Sequence, residues 1–309
     1  IDNVIIQPGG KPTIWKFLAT VMNKNDEVLY PNPGYPIYES QIAYQGGKPI
    51  PYSYIETKNG FDINIDKLER SISDKTTVLI INNYHNPLSA SSSDQELELL
   101  ADLAVKHNLW VLSDDAYFEI RYSSDAAKSI VSFPGMQERT VILYTFSKKY
   151  AMTGWRLGAS IGPENVIKEM ARFNINDESC TNHFIQFALS SVLEQKCADA
   201  DKILKTLKYR RDICLDKLNS INGIEVPKPE STFYLFPNVT KIMENKGYDS
   251  LETFRKDILF HTGVSFCTRE HFGTPLEKEE QKYIRLAYSG INRRDISIGL
   301  DSLKKWVES

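Results

Sequence analysis

Three short runs in the first half of the chain are hydrophobic almost without interruption: TTVLIINNY (76–84), LWVLSDDAY (109–117) and TVILYTF (140–146). A strand with one wet face alternates apolar and polar residues. Continuous Val, Ile and Leu therefore predict strands buried on both faces, as in a parallel sheet. Between the first two runs, SDQELELLADLAVKHN places Leu97, Leu100, Ala101 and Ala104 on one helical face, with Ser93 or Asp94 suited to cap it. Nearer the start, GGKPTIWKFLATVM carries Ile14, Phe17, Leu18, Val21 and Met22 at i, i+3, i+4, i+7, i+8 spacing. That stripe predicts an amphipathic helix, and Pro12 fits its first turn. The alternation predicts an α/β fold, a three-layer sandwich around a mostly parallel central sheet. After about residue 190 the pattern changes. LEQKCADADKILKTLKYRRDICLDKLNSI predicts one long charged helix or two, followed by the shorter segments TFYLFPNV, LETFRKDILFHT and KYIRLAY. The expected division is a large domain over 1–194 and a smaller α+β domain over 195–309.

In open parallel sheets, ligands bind beyond the carboxyl ends of the strands. Here each of the three runs ends in polar residues: NNYHNP, SDDAY and TFSKK. Turn chemistry accounts for Asn-Pro, but not for two carboxylates, a tyrosine and a Ser-Lys pair at neighbouring strand ends. One shared polar site is the simpler expectation. Gly9, Gly10 and Lys11 precede the first helix, where free amides and the helix dipole attract an anion.

Composition narrows the classes of function. The chain has 309 residues, 41% hydrophobic and 25% charged, with a net charge of −3 and no concentrated basic stretch, which argues against a nucleic-acid partner. No apolar run approaches the ~20 residues of a membrane span. Four separated cysteines without a CxxC pair suit a reducing cytoplasm, and scattered histidines give no support to a metal site. The chain starts at Ile1 rather than Met, so it is expected to be a fragment.

Taken in order, PGGK, PNPGYPIY, NNYHNP, SDDAY, SKKYAMTGWRLG and YIRLAYSG resemble the motifs of the class I/II aminotransferases, fold-type-I enzymes that use pyridoxal 5′-phosphate (PLP). The resemblance covers nearly the whole chain. It implies that Lys148 is the amine that joins the cofactor covalently, with Lys149 pointing elsewhere. A lysine in that role needs a lowered pKa. Arg156, Thr145, Ser147 and the amides of Gly10 and Lys11 would hold the phosphate, with Arg156 buried against it. Asp114, rather than its neighbour Asp115, would face the pyridine nitrogen. Tyr117 and Asn86 would hydrogen-bond the ring oxygen, and Tyr35 would stack on the ring, leaving Tyr30, Tyr38 and Tyr44 as packing residues. Arg285, with Asn86, would clamp the substrate α-carboxylate in a bidentate pair. Lys11 would reach the distal carboxylate of an acidic substrate, so aspartate with 2-oxoglutarate is the expected pair. A homodimer with shared active sites is implied too.

The chain departs from the family pattern at three places. Leu88 and Ser89 replace Thr-Gly after Asn-Pro, Ser231 stands where Gly is usual before Thr-Phe-Tyr, and the family's amino-terminal segment is expected to be missing. Two other functions share the same cofactor residues: a carbon–sulfur β-lyase, and an aminotransferase-like effector-sensing domain of a regulator.

Overall fold

The computed structural model describes residues 1–58, 60–194 and 197–309. Its first part runs β1 (Val4–Gln7), α1 (Lys11–Val21), β2 (Glu27–Pro31), α2 (Ile37–Tyr44), β3 (Lys48–Tyr52), β4 (Tyr54–Thr57), β5 (Gly60–Ile63) and α3 (Ile65–Arg70). It continues with β6 (Thr76–Ile81), α4 (Asp94–Lys106), β7 (Trp110–Asp114), β8 (Thr140–Thr145), β9 (Gly158–Ile161) and α5 (Glu164–Asn176). Then come α6 (His183–Leu193), α7 (Ala198–Leu218), β10 (Tyr234–Leu235), α8 (Thr240–Lys246) and α9 (Leu251–Thr262). β11 (Cys267–Thr268), β12 (Ile284–Ala287) and α10 (Arg293–Glu308) complete the chain. The charged segment after residue 190 therefore forms the end of α6 and, separately, α7. The expected boundary at 194/195 abuts Gln195 and Lys196, which lie outside the described residues.

Seven strands form the main sheet in the order β1-β9-β8-β7-β6-β2-β3. β3, β2, β6, β7 and β8 run parallel, while β9 is antiparallel to both β8 and β1. The uninterrupted runs are explained by where alternate residues go. Val28, Val78, Ile80, Leu112 and Val141 face α1, α2 and α5, packing on Ile14, Phe17, Leu18, Tyr38, Ile42 and Met170. Leu29, Leu79, Ile81 and Val111 face α3 and α4, packing on Leu68, Leu97, Leu100 and Ala104. Both faces are dry, so both sets of positions must be apolar. Full burial of Ile14, Phe17 and Leu18 on α1 contributes about 1.5–3 kcal/mol each.

α4 begins where its sequence signal lies. Ser93 Oγ accepts the Glu96 amide at 3.1 Å, and Glu96 Oε2 accepts the Ser93 amide at 3.0 Å. This reciprocal cap satisfies two donors that a helix start otherwise leaves open. A separate three-stranded sheet, β10-β12-β11, packs with α7, α8, α9 and α10 around Leu218, Phe254, Ile284 and Leu300. No helix among the described residues is long and apolar enough to cross a membrane.

Candidate active site

Sheet register brings the polar strand ends together. Gly158 on β9 pairs with Gln7 of β1 on one side and with Thr145 of β8 on the other. The turn at Pro8–Gly10, the loop through Ser147 and Lys148, and Arg156 thus leave the sheet from one row. β7 ends beside it, with Asp114 paired to Leu143. Next to β7, β6 ends and runs into Asn82–Asn86.

These ends surround a cavity of about 550 Å³ lined by Gly10, Lys11, Tyr35, Asn82, Asn86, Asp114, Tyr117, Thr145, Ser147, Lys148, Arg156, Tyr234 and Arg285, among others. Every residue expected at the site from the sequence lies on this one wall. Lys11, Lys148, Arg156 and Arg285 are its cations and Asp114 its carboxylate, a balance that favours an anionic ligand.

Lys148 is half-buried, its amine 5.7 Å from the Tyr117 ring centroid and 5.9 Å from that of Phe233. Burial holds its pKa below the ordinary lysine value. The Asp114 carboxylate opposes that shift, whereas the Arg156 and Arg285 charges add to it. Lys149 turns away to an ion pair with Glu119. Asp114 is buried and accepts two hydrogen bonds, from the Tyr38 hydroxyl at 2.5 Å and the Ala116 amide at 3.1 Å. Burial raises its pKa, and Tyr38, the Ala116 amide and the Lys148 charge draw it back down. Asp115 points to the other side of the strand end, where the Ser113 and Ser129 hydroxyls donate to it at 3.0 and 3.1 Å.

At the opposite end of the cavity, Gly10 precedes α1 without a side-chain cap, and the first turn holds no acidic residue. Gly9 sits at φ +90°, and a Cβ there would stand 2.2 Å from Arg156 Nη2. Only glycine admits the guanidinium so close to the turn. Arg156 donates to the Pro8 carbonyl at 3.1 Å and the Thr153 carbonyl at 2.8 Å, and Thr145 donates to the Ser147 hydroxyl at 2.9 Å. Arg156 lines the cavity and is exposed to it. Its backbone leaves the preceding turn in a left-handed conformation at φ 54°, which carries the side chain along the cavity rim.

The third side is built around Arg285. Its Nη1 donates to Asn86 Oδ1 at 2.7 Å, its guanidinium lies 4.1 Å from the Tyr234 ring centroid, and its buried Nε has no partner among the described residues. Tyr117 and Tyr234 share a 2.6 Å hydroxyl contact, and burial raises both phenols above their ordinary values, so both keep their protons.

Three contributors escaped the sequence reading. Tyr38, expected only to pack, is the donor to Asp114. Its signal was its place one turn after Tyr35, with ring centroids 5.8 Å apart. Asn82 donates to the Asp114 carbonyl at 2.8 Å and accepts the Asn86 amide at 2.9 Å, joining two strand ends. Tyr234 closes the Thr-Phe-Tyr stretch after Ser231, which was read only for its departure from the family pattern. Tyr44, the other way round, was expected to pack and is 86% exposed; it is the last residue of α2, where the helix has turned past the core.

The cavity suits PLP. A volume of about 550 Å³ falls within the roughly 300–1,000 Å³ typical of small-molecule sites. The uncapped helix start, the glycine turn and Arg156 fit a phosphate. The buried carboxylate of Asp114 fits a pyridine nitrogen, and the amine of Lys148 with its lowered pKa fits an aldehyde.

Comparison with known proteins agrees. The family model described as aminotransferase class I and II matches residues 1–303. An aspartate aminotransferase of Sulfolobus acidocaldarius is 32% identical over 308 residues, covering 98% of this chain and 74% of that protein. Aromatic-amino-acid aminotransferase 2 of Thermococcus litoralis is 34% identical over 292 residues, covering 92% and 75%. Among solved structures, an aromatic aminotransferase from Pyrococcus horikoshii superposes with a TM-score of 0.90 at 29% identity, over 99% of this chain and 79% of that one. Shared along almost its entire length, these features place the chain in the class I and II aminotransferases, PLP-dependent enzymes that move an amino group between an amino acid and a 2-oxo acid.

Proposed function

We propose that this transaminase acts on a dicarboxylic amino acid, aspartate before others, with 2-oxoglutarate as the oxo-acid partner, and that the residues gathered on the cavity wall divide the work as follows. When bound, PLP supplies an aldehyde that accepts and returns the amino group and a ring that withdraws electrons from the substrate Cα. Lys148 would hold the cofactor covalently. Its free amine, with a pKa lowered by burial, would remove the proton from Cα and return it as a general base. Asp114 holds a proton on the ring nitrogen through its negative charge, and Tyr38 keeps that carboxylate charged. Gly10, Lys11, Thr145, Ser147 and Arg156 bind the phosphate. Tyr35 covers a ring face, and Tyr117 with Asn86 donates hydrogen bonds to the ring oxygen. Arg285 and Asn86 orient the substrate α-carboxylate. Carrying the reading is a single observation: Asn86, Asp114 and Lys148, far apart in sequence, line one cavity.

Lys11 supports the acidic substrate. Its amine lies 6.0 Å from the Tyr35 ring centroid, at the cavity mouth. In a panel of amino donors with 2-oxoglutarate, aspartate is expected to give the highest kcat/KM. Lys11→Ala should raise KM for aspartate about 10–100-fold, the range of a charge-assisted hydrogen bond, and leave alanine and phenylalanine unchanged. Faster turnover of aromatic donors, indifferent to Lys11, would contradict the assignment.

The division into a large domain over 1–194 and a smaller one over 195–309, and a cytoplasmic location, belong to the same proposal. The separation of the seven-stranded sheet from the later three-stranded one, and four free cysteines, support them. So does a homodimer with shared sites. Trp155 and Phe184, beside Arg156, and Phe187 and Leu193, further along α6, are all more than half exposed, apolar surface of the kind that marks an interface. Sedimentation as a monomer at micromolar concentration would refute it.

A further inference from the structure

Two segments remote in sequence, 86–90 and 231–235, meet behind the wall that carries Arg285. Ser89 and Thr232 are both buried and both adopt left-handed backbone, at φ 58° and 62°. Side chains with a Cβ rarely hold that conformation unless the surroundings impose it. The Ser89 hydroxyl oxygen lies 2.6 Å from that of Thr232 and 2.9 Å from the Tyr234 carbonyl oxygen. A serine hydroxyl has one proton. Donated to the carbonyl, it leaves Thr232 as the donor to Ser89. The Tyr234 amide returns to Thr232 Oγ1 at 3.2 Å. The three bonds close a ring between the two segments.

Each side of this ring is one step from the Asn86–Arg285 contact. Ser89 lies in the turn that begins at Asn86, and its amide donates to the His85 carbonyl at 2.8 Å. Tyr234 lies on β10, which pairs with β12 through Tyr234–Ala287 and Leu235–Leu286 and so flanks Arg285. Ser89 also stands at a position where the family pattern carries glycine, and a glycine has no hydroxyl to offer. Ser231, a second such position, directs its hydroxyl at the Ser89 and Ala90 carbonyls from 3.4 Å.

We propose that the Ser89–Thr232 hydroxyl pair is a positioning element that sets the spacing of Asn86 and Arg285, and with it the affinity for the α-carboxylate of both substrates. The inference rests on the reading of Arg285 and Asn86 as the carboxylate clamp. Neither Ser89 nor Thr232 is among the residues lining the cavity; they act through the clamp.

Steady-state kinetics of the PLP-loaded enzyme test it. Ser89→Gly removes the hydroxyl and both its hydrogen bonds yet suits φ 58°, so relief of the backbone offsets part of the lost bonding and the variant should still fold and melt cooperatively. Its KM for amino acid and oxo acid should rise about fivefold or more, the effect of losing those hydrogen bonds, with kcat within about twofold and cofactor absorbance unchanged. Thr232→Val should match it, Thr232→Ser should restore KM to within about twofold of the native enzyme, and the double variant Ser89→Gly/Thr232→Val should be no worse than either single one. Unchanged KM in Ser89→Gly, or equal effects of Thr232→Val and Thr232→Ser, would overturn the proposal. Arg285→Lys, measured alongside, separates the two levels. If it raises KM while Ser89→Gly does not, the hydroxyl pair alone is misread; if it leaves KM unchanged, the clamp itself is wrong.

Discussion

Replacing Lys148 with alanine should lower kcat for transamination by at least about 10³–10⁴-fold, the upper range for a positioned acid–base group. Fold stability should survive. The amine sits in a half-buried site where burial holds its pKa down, with the Asp114 carboxylate opposing and the Arg156 and Arg285 charges adding to the shift. Removing it removes the cost of burying a charge, so the cofactor-free variant should melt close to the native chain. Added methylamine should restore part of the rate, because the missing function is a proton-accepting amine rather than a structural contact. Lys149→Ala is the control: its ion pair with Glu119 is part-exposed, and pairs of that kind contribute little. Full turnover by Lys148→Ala would remove the basis of the assignment.

Asp114→Asn is expected to have the second largest effect. The carboxylate is the cavity's only one among the described lining residues, and in the proposed function its charge keeps a proton on the ring nitrogen. Loss of a comparable preorganised electrostatic partner lowers kcat about 10²–10³-fold. Tyr38→Phe should act through the same group and by less. Burial already pushes the Asp114 carboxyl up, and the Tyr38 hydroxyl favours its charged form. Without that donor the carboxyl pKa rises further. The acid limb of the kcat profile should therefore move to higher pH. A Tyr38→Phe enzyme with an unshifted acid limb would show that the 2.5 Å contact does not tune Asp114.

What could be read from the sequence followed from short-range rules. Runs buried on both faces gave β6, β7 and β8 and their parallel packing, because burial on both sides leaves no polar position to alternate. Alternation along β7 separated Asp114 from Asp115. The helix start after Gly10 was visible from Pro12 and the apolar stripe, and a cap at Ser93 or Asp94 from residue type, whereas the reciprocal bond from Glu96 was added by the structure. Long-range partners were not. Tyr38 reaches Asp114 across 76 positions and Ser89 reaches Thr232 across 143, and no periodicity encodes such pairings. Tyr44 failed for a related reason. A sequence pattern marks a residue as near a core or a ligand, whereas exposure depends on which way a single turn or helix end faces.

The central claim is that one amine, Lys148, meets Asn86 and Asp114 around a single bound ring. Borohydride reduction of the PLP-loaded enzyme, followed by proteolysis and mass spectrometry, tests it most directly. The account predicts a reduced pyridoxyl phosphate group on Lys148 alone, lost when Lys148 is replaced. A modified Lys149 or Lys11, or no modified lysine in an active preparation, would contradict it.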